Sequence, residues 1–311
     1  MRIMAVVVTY NRKSLLMECI DAILSQTKKV DRIILIDNAS TDGTQQAVME
    51  RGYLDNGIID YRLMDINLGG AGGFYEGVKI AMASGADWIW IMDDDTIPRP
   101  ESLNAMISKA ERVPNASYFA SCVVGSKGEP MNVPTIDTRK SLNGYPDWYL
   151  NFYEGMIKIE AATFVSLLLN GKAISKCGLP CKELFIWGDD TEYTRRLTQY
   201  AGSAYLVADS WVCHKRNNAK SLDISNESDV NRINNYHYMV RNSLIYNARY
   251  NGKIAALKRF ATWELDAIKL LLRDRLGLKK FIIIQKGIGE FFVQYKEFCQ
   301  RIDSELQEGI P

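Results

Sequence analysis

The segment RIMAVVVTYNRKSLLMECIDAILSQ, residues 2–26, decides the fold class of this chain. Its first part, RIMAVVVT (2–9), is rich in β-branched residues, which favour a strand. The later part, KSLLMECIDAILSQ (13–26), has apolar residues at helical spacing, namely Leu16, Ile20, Ile23 and Leu24. The segment therefore predicts a strand, a polar turn and a helix, in that order.

The same strand–helix unit recurs through the first hundred residues. Further strands are predicted at DRIILIDN (31–38), IDYRLMD (59–65) and DWIWIMD (87–93), and helices at ASTDGTQQAVMERG (39–52) and FYEGVKIAMASG (74–85). The first of these helices has Thr41 or Asp42 as its candidate N-cap and Gly52 as its stop. Such alternation is typical of an α/β fold with a Rossmann-like, mostly parallel sheet and helices on both faces.

Polar clusters follow the four predicted strands at their carboxyl ends. They are TYNR (9–12), DNASTDGT (37–44), NLGGAGG (67–73) and DDDTIP (93–98). Ligands of such sheets bind beyond the carboxyl ends of the strands. We therefore expect the four clusters to converge on one crevice.

The cluster at Asp93–Asp95 sets three carboxylates directly behind a buried strand. Adjacent carboxylates repel one another unless positive charge compensates them. In an extended segment Asp93 and Asp95 share a face and Asp94 points away. That arrangement favours a hard divalent cation, Mg²⁺ or Mn²⁺, over the alternative of a simple acidic turn bounded by Pro98 and Pro100.

The segment NLGGAGGF (67–74) contains Gly69, Gly70, Gly72 and Gly73 before a predicted helix. Glycine permits close backbone approach, and amides at a helix start favour anions. The segment is no phosphate-binding Walker loop, because no Gly-Lys-Ser/Thr follows it. A flexible turn is the alternative interpretation.

The segment FIWGDDTEYTRRL (185–197) places Asp189 and Asp190 at a predicted helix start. A carboxylate there can cap the helix, accept a proton from a sugar hydroxyl, or do both. The chain has two histidines, and His214 follows the strand AYLVADSWVC. By itself such a histidine is more often structural than a ligand.

The rest of the chain is predicted to be irregular at about 115–160 and helical from about 228 to its end. The irregular region carries prolines and the aromatic residues Tyr145, Trp148, Tyr149, Phe152 and Tyr153. Between these regions we predict a strand and short helix at 162–180, a helix at 190–202 and a strand at 204–214. Residues 253–301 carry eleven Lys and Arg against five acidic residues, a net charge of +6. This segment favours either an anionic membrane surface or a helical bundle with a solvated basic face or a dimer contact.

Bulk composition excludes several classes of protein. The 311 residues include 38 basic and 37 acidic side chains, so the net charge of +1 offers no global field for nucleic acid. The six scattered cysteines favour reduced thiols over a zinc site or disulfides. We recognise neither a signal peptide nor a transmembrane segment.

Taken together, the motifs resemble family 2 glycosyltransferases of the GT-A fold over roughly residues 3–245. The resemblance is carried by VVVTYNR, LIDNASTDGT, NLGGAGGF, WIMDDDTIP, FIWGDDTEYTRR and YHYMVRNSL, in that order. Within the family, the chain looks most like galactofuranosyltransferases, with the rhamnosyltransferases of surface-polysaccharide assembly close behind. The resemblance implies a GT-A catalytic domain at 1–228, with a nucleotide-binding part (1–100) and an acceptor-binding part (101–228), followed by a helical region at 229–311.

The resemblance also implies roles for single residues. Thr9, Tyr10 and Arg12 would line the nucleotide pocket, Asp37 would bond the base, Asn67, Gly69 and Gly70 would lie beside the donor, and Asp94 would lie near the ribose or donor sugar. Asp93, Asp95 and His214 would hold the divalent cation. Asp190 would be the general base, Asp189 would bind the acceptor or support the base, and Trp187 would stack on a sugar. Many family members have Glu where this chain has Asp189, which leaves that role open.

The activity so implied is inverting, metal-dependent transfer of galactofuranose from a UDP donor to a cell-surface or lipid-linked glycan. It would take place in the cytoplasm or at the cytoplasmic face of the plasma membrane, with a homo-oligomer as a further expectation. The alternatives are a dTDP-rhamnose transferase and a non-catalytic sugar-nucleotide-binding scaffold. A sugar-nucleotide nucleotidyltransferase would need a glycine loop after the first strand, which VVVTYNRKSL lacks.

Overall fold

A computed structural model describes residues 1–55, 57–216 and 221–309. Its first hundred residues alternate strand and helix as predicted. The elements are β1 (Ile3–Thr9), α1 (Lys13–Leu24), β2 (Arg32–Asp37), α2 (Thr44–Glu50), β3 (Ile59–Leu63), α3 (Gly69–Ala83) and β4 (Trp88–Asp93). The predicted βα units are therefore confirmed.

Two helix starts differ from the prediction. The N-cap of α2 is Gly43, with a φ of 83°, rather than Thr41 or Asp42, although the Asp42 carboxylate accepts a hydrogen bond from the Thr44 N–H at 3.2 Å. Helix α3 begins at Gly69 rather than at Phe74. The prediction that the glycines precede the helix was therefore wrong, because they form its first turns.

The middle of the chain is more regular than predicted. Its elements are β5 (Thr96–Pro98), α4 (Ser102–Arg112), β6 (Tyr118–Val124), β7 (Thr135–Ile136), β8 (Met156–Ala161), β9 (Leu167–Asn170), α5 (Gly171–Cys177), α6 (Asp189–Tyr200) and β10 (Ala204–His214). The expectation of an irregular region at 115–160 was thus wrong for β6 and β8. Strand β6 lies between two other strands, and this buried setting removes the polar alternation by which a strand is recognised.

One mixed sheet of ten strands is formed by the described residues, in the order β3-β2-β1-β4-β9-β6-β10-β8-β7, with β5 paired to β10. Strands β1 to β4 are parallel, and β6 and β10 are parallel to each other. The antiparallel strand β9 joins these two blocks. Most strands consequently point the same way, and their carboxyl ends share one edge.

Helices cover both faces of the sheet, as the predicted fold class requires. Alternate residues of β1 belong to two separate cores: Ile3, Ala5 and Val7 pack with α1 and α4, whereas Met4, Val6 and Val8 pack with α3, α5 and α6. Because successive strand residues point to opposite faces, a fully apolar strand supplies both cores.

The chain after residue 228 is helical, as predicted. It forms α7 (Val230–Tyr246), a π-helical turn (Asn247–Asn251), α8 (Lys253–Arg273) and α9 (Gly277–Glu308), which share a core of their own. The end of α9 returns to α6, where Glu305 lies 3.1 Å from the buried guanidinium of Arg196. Residues 310 and 311 of the predicted helical region lie outside the described residues. No helix among the described residues is both long and apolar enough to cross a bilayer.

Candidate active site

The ends of β4 and β10 bring two carboxylates and an imidazole together. Asp93, Asp95 and His214 each offer one ligand atom, and these atoms lie within 4.8 Å of one another. The short strand β5 explains the meeting, because it turns back after Asp95 and pairs antiparallel with β10, Thr96 opposite His214. The N–H of Lys215 also donates to the Asp95 carbonyl at 2.8 Å. His214 lies more than a hundred positions after the two aspartates in the sequence, and the sheet makes it their neighbour.

Arg12 and His214 supply the positive charge that the three carboxylates require. The Arg12 guanidinium contacts the carboxylate of Asp95 and lies 3.4 Å from that of Asp94. Burial works against ionisation of Asp95, but the contacts with His214 and Arg12 prevail and lower the pKa of this carboxyl. Asp93 lacks such direct contacts, and burial together with repulsion by Asp95 raises its pKa to about 8.

The donor set fits a divalent cation. Asp95 Oδ1 is buried without an aligned hydrogen bond among the described residues, although His214 Nε2 lies 3.0 Å away. The other ring nitrogen, Nδ1, lies 2.9 Å from the side-chain oxygen of Asn132. A histidine that donates from one nitrogen keeps the other directed at a ligand site. Two carboxylates and an imidazole so arranged suit Mn²⁺ or Mg²⁺.

Asp94 faces the other way and ties β4 to the end of β1. Its carboxylate accepts from the Thr9 hydroxyl at 2.7 Å and from the Tyr10 N–H at 3.4 Å. Burial raises the pKa of Asp94 to about 6, against the pull of Arg12 and Thr9. The TYNR and DDDTIP clusters therefore meet, as expected. Thr9 is buried, whereas the side chain of Tyr10 is exposed.

The end of β2 joins the same edge through Asp37 and Asn38. The fully buried Asp37 carboxylate accepts from the Tyr61 hydroxyl at 2.5 Å and from the Ser40 N–H at 2.8 Å. The Asn38 amide donates to the Gly69 carbonyl at 2.7 Å and accepts from the Leu68 N–H at 3.0 Å. Asn38 thus fixes the start of α3 against β2.

The glycines of α3 are required by close packing. Gly69 has a φ of 73°, and a Cβ there would lie 2.2 Å from the Phe185 carbonyl oxygen. Gly73 packs on β1, where a Cβ would come within 2.4 Å of a Val8 methyl group. Asn67 accepts from the Gly69 N–H at 2.8 Å, and Gly70 has open space around it. The glycines are thus helical and closely packed rather than a flexible turn, and contact of their backbone with an anion stays a prediction.

The segment before Asp189 has an unusual backbone. Phe185, Trp187 and Gly188 have φ values of 64°, 60° and 106°. For non-glycine residues this region costs about 1–3 kcal/mol each and persists only where other contacts impose it. The contacts come from α7: the Asn242 amide donates to the carbonyls of Leu184, Ile186 and Trp187 at 3.0, 3.1 and 2.9 Å.

Arg241 completes this clamp. Its guanidinium donates to the carbonyls of Glu183 and Leu184 at 2.9 and 3.0 Å. Both residues belong to YHYMVRNSL, so the structure gives that motif a physical task. It holds the strained segment that leads into the first turn of α6.

Asp189 and Asp190 begin α6 in a setting with little compensating charge. Burial, followed by repulsion from Asp190, raises the pKa of Asp189 to about 8. Burial also raises the pKa of Asp190, although its carboxylate accepts from the Thr191 N–H at 2.6 Å. A carboxylate with a raised pKa is a stronger base, which suits proton removal.

Aromatic and cationic side chains join this acidic pair to the metal-ligand cluster. The half-buried ring of Trp187 packs on Tyr236 at 4.8 Å between centroids, and the Arg232 guanidinium lies 5.9 Å from the Trp187 centroid. Burial and repulsion by Arg232 lower the pKa of Arg216. Attraction by Asp95 opposes this shift. Arg232 thus puts positive charge beside Trp187, and Arg216 puts it within the influence of Asp95.

Reasoning from sequence missed Asn38, Asn132, Arg216, Arg232 and the clamp residues Arg241 and Asn242. Asn38 belongs to the recognised motif LIDNASTDGT, and Arg241 and Asn242 belong to YHYMVRNSL. The motifs were therefore recognised, but no role was predicted for these three residues. Asn132 lies in the region predicted to be irregular, and Arg232 lies in the predicted helical region but outside its motif. Their contacts cross from one end of the chain to another, and spacing along the sequence does not encode them.

Comparison with known proteins agrees with this architecture. The family model described as Glycosyl transferase family 2 matches residues 4–164. The chain is 30% identical over 201 residues to galactofuranosyltransferase GlfT1 of Mycolicibacterium smegmatis, covering 63% of this chain and 65% of that protein. It is 37% identical over 97 residues to abequosyltransferase RfbV of Salmonella typhimurium, covering 30% and 28%. The match thus spans less than two thirds of the length of either relative.

Two solved structures share the fold. The crystal structure of S. aureus TarS 1-349 in complex with UDP-GlcNAc superposes with a TM-score of 0.59 at 14% identity, over 95% of this chain and 81% of that one. The crystal structure of GalNAc-T7 with UDP, GalNAc and Mn²⁺ gives a TM-score of 0.56 at 14% identity, over 84% and 54%. Since the family model covers more than half of the residues, this chain belongs to glycosyltransferase family 2.

Proposed function

We propose that the chain is an inverting glycosyltransferase that uses a divalent cation, Mn²⁺ or Mg²⁺. The observation that carries the proposal is the meeting of Asp93, Asp95 and His214 within 4.8 Å, with an unsatisfied carboxylate oxygen among them. The relatives with named transferase activities support it.

Asp93, Asp95 and His214 would hold the cation, which as a Lewis acid stabilises the negative charge of a departing nucleoside diphosphate. Asp190 would remove the proton from the acceptor hydroxyl. The hydroxyl oxygen then attacks the anomeric carbon as the bond to the diphosphate oxygen breaks, and the anomeric configuration inverts. Asp189 would bind the acceptor or keep Asp190 basic, and Trp187 would offer an aromatic face to a sugar.

The nucleotide would lie along the carboxyl ends of β1, β2 and β4, and the start of α3. Thr9, Tyr10, Arg12, Asp37, Asn67, Gly69, Gly70 and Asp94 are the residues proposed to line it. Tyr10 is exposed and free to cover a base. Asp37 already accepts two hydrogen bonds from the protein, so a bond to the base would use one of its remaining lone pairs.

Galactofuranose from UDP-galactofuranose is the donor that we favour, because three of the relatives are named galactofuranosyltransferases. A dTDP-rhamnose donor is the second candidate, and the similarity to an abequosyltransferase supports a deoxysugar of this kind. The acceptor would be a cell-surface or lipid-linked glycan, met at the cytoplasmic face of the membrane. A non-catalytic scaffold remains the contrasting hypothesis.

Calorimetric titration with UDP, dTDP and GDP, each with and without Mn²⁺, tests the proposal. We expect UDP to bind in a Mn²⁺-dependent manner, and binding to weaken in Asp95→Ala and His214→Ala variants. A transfer assay with UDP-galactofuranose and a lipid-linked glycan then distinguishes an enzyme from a scaffold. Preference for dTDP would move the donor to rhamnose, and no binding of any nucleotide would contradict the proposal.

A further inference from the structure

Helix α8 exposes a continuous apolar stripe to solvent. Its members recur at intervals of three and four residues along the whole helix: Ile254, Leu257, Ala261, Leu265, Ile268 and Leu272. Leucine and isoleucine side chains are exposed throughout, from 49% at Ile268 to 76% at Leu272. At 3.6 residues per turn, this spacing keeps the six side chains on one face.

Helix α8 packs on the rest of the protein through a second apolar face, which is separate from the stripe. Trp263, Ala267 and Leu270 are buried in the core shared with α7 and α9. These positions project from the side of the helix opposite to the stripe. Helix α8 therefore has two apolar faces, of which the fold uses one.

Basic side chains border the stripe. Lys258, Lys269 and Arg273 follow one edge of it at helical spacing, and Lys253 lies at its beginning. Asp266 neutralises part of this charge, since it lies 3.5 Å from Lys269. Glu264 lies on the opposite edge, but within α8 (253–273) five basic residues outnumber two acidic ones, so the helix is positive overall.

From these observations we propose that the solvent face of α8 docks on an anionic lipid surface. An exposed apolar stripe bordered by Lys and Arg matches both layers of such a surface, the acyl boundary and the negatively charged headgroups. Antiparallel pairing with a second copy of the chain is less favourable, because the basic edges of the two identical helices would then meet and repel each other. The face therefore fits a lipid better than it fits itself.

A series of contacts connects the helical region that carries the stripe with the acidic pair of the site. The first turn of α9 contacts the start of α7, where Lys279 Nζ donates to the Val230 carbonyl at 3.1 Å. Arg232, in the next positions of α7, lies over the Trp187 ring. The lipid face and the segment that leads into Asp189 are thus connected through one turn of α7. This inference does not rest on the proposed reaction.

Flotation of the full-length protein with vesicles tests the inference. Phosphatidylcholine vesicles with phosphatidylglycerol are compared with vesicles of phosphatidylcholine alone. We expect the wild type to float with the anionic vesicles and to be released by salt. The variant Lys258→Gln/Lys269→Gln/Arg273→Gln should lose about a hundredfold in partition coefficient, because each basic residue near an anionic surface contributes about fivefold. Leu265→Gln/Ile268→Gln should lose at least about tenfold.

A matched control uses exposed apolar residues elsewhere. Leu142 and Phe152 are exposed in the loop before β8, so Leu142→Gln/Phe152→Gln should float like the wild type. Melting temperatures of all variants report on folding. Stripe variants that float like the wild type would overturn the inference, as would an equal loss in the control. A wild type that ignores vesicles, but sediments as a dimer that the stripe variant breaks, would show that the face joins two copies instead.

Discussion

Two groups of adjacent aspartates lie at the carboxyl edge of this fold, and their surroundings differ. Asp93–Asp95 end a regular strand and are faced by Arg12 and His214. Asp189 and Asp190 follow a strained segment, and burial raises both of their pKa values, whereas in the first group the pKa of Asp95 is lowered. The first group is held by positive charge, and the second is held by backbone geometry.

The difference shows how one residue type serves two kinds of chemistry. Asp95, whose pKa is lowered beside an imidazole and a guanidinium, is suited to bind a cation. Carboxylates that are desolvated, with little compensating charge, hold protons more tightly and suit proton transfer. Each prediction below changes one group and asks whether the other is affected.

The largest effect is expected for Asp190→Asn. The amide cannot accept the acceptor proton, so transfer should fall by at least about 10²-fold. Mn²⁺-dependent nucleotide binding should be unchanged, because the metal ligands belong to the other group. Transfer assays and calorimetry measure the two properties.

The exposed Asp209 provides the matched control for this change. Asp209→Asn should transfer at the wild-type rate. Activity close to wild type in a folded Asp190→Asn variant would assign the base to another residue and remove the distinction between the two groups.

Asn242→Ala removes the clamp on the strained segment. The carbonyls of Ile186 and Trp187 lose their donor, whereas that of Leu184 keeps Arg241, so at about 1 kcal/mol for each hydrogen bond the free energy of unfolding should fall by about 2 kcal/mol. Transfer should fall while Mn²⁺-dependent nucleotide binding persists. Denaturant unfolding and single-turnover kinetics provide the measurements.

Asn234→Ala is the control on the same helix, because Asn234 is exposed. It should leave stability and transfer unaltered. If Asn242→Ala weakened nucleotide binding as much as transfer, the clamp would serve the whole site rather than the acidic pair alone.

Asn132→Ala should affect only the metal-ligand cluster. Loss of the partner of His214 Nδ1 should lower Mn²⁺ affinity by about tenfold, as for other residues that orient a ligand. Calorimetry with Mn²⁺ alone gives the affinity, and the exposed Asn115 offers Asn115→Ala as a control. Unchanged Mn²⁺ affinity would mean that the sheet alone orients the imidazole.

Asp189→Asn should produce a pH-dependent gain in stability. The folded protein holds the Asp189 proton up to about pH 8, whereas the unfolded chain loses it near 4. The stability of the wild type therefore falls as pH rises across this interval, and the amide removes that penalty. The melting temperature of the variant should exceed that of the wild type by a margin that grows from pH 5 to pH 8.

A variant of an exposed aspartate, Asp65→Asn, should show no such growing margin. A margin that is constant with pH would mean that Asp189 is ionised in the folded protein throughout, as Asp95 is. The two groups would then be more alike than their surroundings indicate.

The amino-acid sequence by itself determined the parallel half of the sheet and the elements that carry the acidic groups. Strands β1 and β4 are continuous apolar runs, and α1 and α6 have helical spacing, so local patterns were sufficient. The sequence also determined that Asp93–Asp95 need positive charge, since like charges repel at any position in a fold. Residues 115–160 were predicted to be irregular, and this prediction missed β6. That strand is buried between two other strands, so its residues do not alternate between polar and apolar.

Only the tertiary structure decided which residues meet. Strand β5 turns back to set His214 beside Asp95, and Asn242 reaches three carbonyls more than fifty positions earlier in the chain. It also decided that the glycines of α3 serve packing against Val8 and Phe185. Such contacts depend on the three-dimensional path of the backbone, because hydrogen bonds and van der Waals contacts act over a few ångströms regardless of separation in sequence.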